Sequence, residues 1–123
     1  MTEKIRILIA DDNSNIRESL IDILAERDYS TEAVSNGYEL LDSIRMRQPH
    51  IIILDLIMPG KDGVEILPAI KCVAPKAKVI IYTAFSRYEN SVYSEMADKF
   101  LLKTDSPEDI IKIIDEFAKK ISE

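Results

Sequence analysis

The sequence predicts an α/β fold, a parallel sheet with helices packed on both of its faces. Three observations carry that expectation. Short aliphatic runs recur about every 20 to 25 residues, amphipathic stretches of helical length separate them, and the runs are apolar at consecutive positions, as strands buried on both faces are. Strands that alternate with helices imply right-handed crossovers onto a parallel sheet.

The runs are "IRILIA" from Ile5, "TEAV" from Thr31, "IIILD" from Ile51, "KVIIYT" from Lys78 and "KFLLK" from Lys99, which gives five strands. Between them, residues 14–26 carry Ile16, Leu20, Ile23 and Leu24 on one helical stripe. Further helices are predicted over 36–46, 63–72, 87–95 and 107–121, the fourth being the weakest pattern. The last has a start signal near Asp105: Ser106 can cap it, Pro107 suits its first position and Asp109 lies three after Ser106. Its stripe is Ile110, Ile113, Ile114, Phe117 and Ile121. Pro68 predicts a kink in the third helix without ending it.

At 123 residues, without an internal repeat or a long Gly, Ser or Pro-rich linker, the chain reads as one domain over 1–123. A chain of this length buries roughly two-thirds of its unfolded surface and needs no zinc or disulfide staple. The single cysteine, Cys72, reads as a buried or idle thiol in a reducing compartment. No apolar run approaches a membrane span and the amino terminus does not resemble a signal peptide, so the expected location is the cytoplasm. With 16 Lys and Arg against 22 Asp and Glu, a net charge of -6 opposes direct nucleic-acid binding by this domain.

In such sheets, polar residues just past the carboxyl ends of the strands share one crevice. The first strand ends in Asp11 and Asp12, the third in Asp55, the fourth in Thr83 and the fifth in Lys103, whereas Ser35 and Asn36, which follow strand two, have the character of an ordinary loop. Singly, an Asp can cap a helix, a Thr can bond backbone and a Lys can be solvated. Together they form a chemical constellation. Carboxylates 4 Å apart repel by ~4 kcal/mol per pair at an effective dielectric near 20, which calls for a hard divalent cation. Mg²⁺, which keeps several waters and accepts carboxylate and phosphate oxygens, suits a shallow site of this kind. Lys103 offers a charge for a phosphoryl oxygen and Thr83 a hydroxyl donor. No serine sits in a nucleophile elbow, Cys72 is remote from every strand end, and His50, the one histidine, precedes the third strand at its opposite end. That leaves an aspartate as nucleophile toward phosphorus, and Asp55 is best placed.

The ordered motifs "ILIADD", "DLIMPGKDG", "VIIYTA" and "FLLK" resemble those of the response-regulator receiver family over essentially the whole chain. The resemblance implies a flavodoxin-like (βα)5 doubly wound parallel sheet of strand order 2-1-3-4-5, and aspartyl phosphorylation by a sensor histidine kinase or phosphotransfer protein. Position by position, it makes Asp55 the phosphoacceptor. Asp11, Asp12, Asp55 and the backbone carbonyl of Ile57 become the ligands of Mg²⁺ or Mn²⁺. Thr83 becomes the switch hydroxyl, Lys103 the lysine paired with the phosphoryl group, Phe100 the aromatic switch, and Ala84 the small residue beside the phosphate. The output surface is the fourth helix, fifth strand and fifth helix, which serves an output domain, a downstream protein or a homodimer. Ile57 and Phe85 occupy the positions flanking the path of the hydrolytic water; both are apolar, which predicts slow self-dephosphorylation.

Two departures stand out. Thr104 follows Lys103 where many receivers have proline, and Met96 stands where a glycine commonly ends the fourth helix. The flanking motifs are most similar to those of receivers that precede a helix-turn-helix DNA-binding domain, leaving open a stand-alone receiver and the receiver part of a longer regulator. Two other readings compete: a receiver-like docking module without phosphorylation, and an aspartate-nucleophile phosphatase of the haloacid-dehalogenase type. The latter wants an acid two residues after the nucleophile, where Ile57 stands.

Overall fold

Consecutive β-branched and aliphatic residues favour extended backbone, and burial on both sides of a sheet rewards them. In the computed structural model, which describes residues 4–58, 63–104 and 106–123, these runs become five parallel strands. They are β1 (Ile5–Ala10), β2 (Tyr29–Val34), β3 (Ile51–Leu54), β4 (Lys78–Thr83) and β5 (Lys99–Leu102), in the order β2-β1-β3-β4-β5. The helices between them are α1 (Ser14–Leu24), α2 (Gly37–Met46), α3 (Gly63–Val73), α4 (Val92–Met96) and α5 (Pro107–Ser122).

Alternate residues of the strands feed two separate cores. Leu8, Ala10, Ile52, Leu54, Val79 and Ile81 face α2 and α3, packing with Leu40, Ile44, Ile66, Leu67 and Ile70. Ile7, Ile9, Ile51, Ile53, Ile80 and Tyr82 face α1 and α5, packing with Leu20, Leu24, Ile110, Ile111 and Ile114. Burial is therefore complete in β3 and reaches every residue but the first of β1 and β4. The edge strands β2 and β5 are only partly buried, contrary to the uniform burial expected of all five.

Helix α5 follows its signals closely: Ser106 Oγ accepts from the Glu108 N–H at 3.3 Å and Pro107 opens the helix, while Asp105 lies outside the described residues. Helix α3 runs through Pro68 unbroken. Strand β2 begins two residues earlier than expected and α1 ends two residues sooner. Cys72 is exposed, which corrects the buried reading.

The largest difference is the fourth helix. Residues 87–95 do not form one continuous element; a 3₁₀ turn over Ser86–Tyr88 is followed by the five-residue α4. Ser91 separates them, its hydroxyl accepting from Ser94 N–H as a new N-cap, and neither piece buries a residue fully. Tyr88 and Tyr93 bridge the break edge to face, with ring centroids 6.0 Å apart. Nor does the helix need a glycine to end. Ala97 is extended (φ -89°, ψ 161°), and Asp98 is clamped to β4, its N–H donating to Val79 O at 2.8 Å and its carboxylate accepting from Val79 N–H at 2.8 Å. Among the described residues, no helix is long and apolar enough to cross a membrane.

Candidate functional site at the carboxyl edge of the sheet

The parallel register places Ala10 beside both Val34 and Leu54, Leu54 beside Ile81, and Thr83 beside Leu102. Backbone hydrogen bonds continue one step past the strands: Asp11 N–H to Val34 O (3.2 Å), Asp55 N–H to Ala10 O (2.9 Å) and Lys103 N–H to Thr83 O (2.8 Å). Asp11, Asp55, Thr83 and Lys103 are thus carried to one edge on rigid backbone rather than on free loops. They are the residues that the strand ends group in the sequence.

Asp11 and Asp55 are buried at 2% and 6% exposure, whereas Asp12 is exposed. One carboxylate oxygen from each of the three lies within 4.8 Å of the others. Three oxygen donors so close, two of them on buried acids, fit a hard divalent cation such as Mg²⁺. Lys103 Nζ stands between the two buried acids, 2.8 Å from Asp11 Oδ2 and 3.0 Å from Asp55 Oδ2. The Ile57 N–H donates to the other Asp55 oxygen, Oδ1, at 3.2 Å.

Burial is the strongest influence on Asp55 and lifts its carboxyl above the usual carboxylate range; Lys103 opposes that shift and the Asp11 charge adds to it. Burial also works against the Lys103 ammonium, but hydrogen bonds and charge from Asp11 and Asp55 outweigh it, so the lysine is held more firmly protonated than usual. Asp55 is consequently a basic carboxylate for its type, with a fixed cation beside it.

The remaining predicted residues sit around this centre. Thr83 is fully buried, its Oγ1 accepting from the Phe85 N–H at 3.4 Å. Ala84 and Phe85 follow it, both exposed, with the Arg87 guanidinium 4.6 Å over the Phe85 ring. Ile57 is half-buried. Phe100 is half-buried and packs against the core beneath α2 and α3. Pro59, Gly60, Lys61 and Asp62 of the quoted motif lie outside the described residues.

Two residues here escaped sequence reasoning. Asn13, not Asp11 or Asp12, caps α1 by accepting from the N–H groups of Asn15 and Ile16, and its own N–H donates to Asp11 Oδ1 at 2.9 Å. Arg17 reaches back from α1 to donate from Nη1 to the Asp11 carbonyl at 2.8 Å. The cap had a signal, since Asn before an amphipathic stretch favours that position. Ser35 and Asn36 are likewise more than a loop: Asn36 caps α2, and Glu39 reaches back to accept from both Ser35 N–H and Oγ.

A doubly wound five-stranded sheet in this order is a flavodoxin-like architecture, whose ligand crevice lies at the carboxyl edge where these polar groups converge. The response regulator receiver domain family matches residues 7–115, and the chain belongs to that family. Sporulation initiation phosphotransferase F of Bacillus subtilis (strain 168) is 37% identical over 89 residues, 72% of this chain and 70% of that protein. Two further relatives are longer, and this chain spans 33% and 26% of them. Among solved structures, the response regulator TrrA of Thermotoga maritima in complex with Mg²⁺-BeF is 33% identical with a TM-score of 0.85, covering 94% of this chain and 99% of that one. TrrA in complex with the histidine kinase ThkA gives a TM-score of 0.83 at 33% identity, covering 94% and 98%.

Proposed function

We propose that this chain is a single receiver domain over 1–123 that accepts a phosphoryl group on Asp55 from the phosphohistidine of a kinase or phosphotransfer protein. The observation that carries the reading is the placement of Lys103 Nζ within 3.0 Å of both buried acids, beside a three-carboxylate cluster. In the transfer, an Asp55 oxygen forms a bond to phosphorus as the phosphorus–nitrogen bond of the donor breaks, and its electron pair leaves with the imidazole. Lys103 then pairs with a phosphoryl oxygen, and Thr83 offers its hydroxyl to another. Asp11, Asp12, Asp55 and the Ile57 carbonyl would hold Mg²⁺ or Mn²⁺, which supplies charge neutralisation for the incoming oxygens. Ala84, without a bulky side chain, leaves room beside them.

Output follows from the same charges. A phosphoryl group draws Thr83 toward it, and the space released lets Phe100 turn inward, reshaping the face of α4, β5 and α5. That face addresses an output domain, a downstream protein or a second copy of the chain, while the domain itself binds neither DNA nor membrane and works in the cytoplasm. The Mg²⁺-BeF and kinase complexes of TrrA support the reading by likeness.

The test is incubation with acetyl phosphate and Mg²⁺ followed by intact mass. One phosphoryl adduct is expected, lost in Asp55→Ala and lost again when EDTA replaces Mg²⁺. Absence of an adduct, or one that survives Asp55→Ala, would point to a docking module instead.

A further inference from the structure

Asp11 has almost no freedom. Its N–H donates to Val34 O, its Oδ1 accepts from the Asn13 N–H, its Oδ2 pairs with Lys103 and its carbonyl accepts from Arg17 Nη1 at 2.8 Å. Asp12 is the opposite case: exposed, and making no hydrogen bond or ion pair with another described residue, yet one of its carboxylate oxygens lies in the 4.8 Å cluster.

We propose that Arg17 is a positioning residue for the cation site, acting through the Asp11 carbonyl to set the direction in which Asp12 leaves the chain; this rests on the metal-dependent reading above. The Asp11 carbonyl and the Asp12 N and Cα belong to one planar peptide unit, so fixing that oxygen fixes the plane from which the Asp12 side chain departs. Arg17 can hold it because its own backbone is fixed: its N–H donates to Asn13 O at 3.1 Å in the first turn of α1, and Asn13 caps that turn. The contacts close a ring from Asp11 through Asn13 and α1 to Arg17 and back. On its outer side Arg17 also faces α2, where its charge, after the stronger Ser35 hydrogen bonds, helps hold the Glu39 carboxyl below its ordinary range.

The sign of the effect separates positioning from plain electrostatics. A guanidinium near an acidic cluster repels a divalent cation, so its removal would by charge alone tighten metal binding. Loss of an outer partner that orients a ligand weakens metal binding, by roughly tenfold at the low end of such effects. Mn²⁺ binding to the unphosphorylated protein, followed by electron paramagnetic resonance, reads this directly, with thermal unfolding run alongside. Arg17→Met is expected to bind Mn²⁺ roughly tenfold more weakly while remaining folded, and Arg17→Lys, which keeps a donor and the charge, recovers most of that loss. Equal or tighter binding by folded Arg17→Met overturns the proposal while leaving the receiver reading intact. Should Arg17→Met not fold, Arg17→Leu carries the same charge change, likewise lacks a donor and carries the same expectation. A parent protein that binds no Mn²⁺ overturns both readings together.

Discussion

Ile57 serves Asp55 in two ways: its N–H orients one carboxylate oxygen, and its half-buried aliphatic side chain lies beside the same edge. A water attacking an aspartyl phosphate needs a polar group to orient it, and neither Ile57 nor Phe85 has one to offer. Arg87, stacked over the Phe85 ring, adds bulk on that side. Ile57→Asn is expected to speed phosphate loss from the Mg²⁺-bound phosphoprotein by on the order of tenfold, about 1.4 kcal/mol of barrier, measured as decay of the intact-mass adduct. A parent that decays as fast as the variant would refute the obstruction. At this scale the sequence was legible where an acid, hydroxyl or lysine interrupts an aliphatic run, because burial makes a polar residue there conspicuous. Arg17 was not legible, since an arginine on an amphipathic helix resembles any solvated residue until its partner is known.

Among elements, α4 stands apart from helices of ten residues or more that bury apolar stripes. It has five residues and buries none completely, so its hydrogen bonds receive little tertiary support. Native-state hydrogen exchange is therefore expected to be fastest, among the helices, over 86–96, and slowest in β1 and β3. Equal protection of α4 and α5 would contradict that ranking. The fourth helix was the one element whose continuity the sequence mispredicted, and the cause is physical. Residues 87–95 lack a continuous apolar face, so local side-chain capping at Ser91 decided the outcome. Strong periodicity placed α5 to within one residue at its end, as expected when a wide stripe must be buried.

Across the whole molecule, the edge of the sheet opposite the acids is tied by Arg6, which the run "IRILIA" conceals. Only 5% exposed, it donates to Glu32 Oε2 at 3.2 Å, Ser43 Oγ at 3.1 Å and the Arg47 carbonyl at 3.4 Å, while Ser43 donates to Glu32. One guanidinium thus joins β1, β2, α2 and the segment after it. The Ser43 hydrogen bond, and after it Arg6, holds the Glu32 carboxyl below its ordinary value of 4.5 despite the opposing effect of burial. A carboxyl lowered by folding contributes stability above its unfolded value, and that contribution disappears as pH falls through the folded value. Thermal unfolding of the parent is accordingly expected to lose stability below about pH 4.5, and Glu32→Gln to flatten that part of the profile. At neutral pH the variant costs about 1 kcal/mol, because the Glu32 side chain is 43% exposed and water replaces part of what is lost.

The pairing of Lys103 with Asp11 and Asp55 has a consequence for how the protein comes into being. Two buried acids would resist collapse of the nascent chain if they had to await an ion from solution. An ammonium built into the sequence serves as a placeholder, so the domain can close in metal-poor surroundings. A cation proposed for this site would enter competition, since an oxygen of Asp55 is already engaged at 3.0 Å by the lysine. On the proposed reading, assembly would thereby be uncoupled from metal supply, and occupancy of the site would belong to the finished fold rather than be a condition for reaching it.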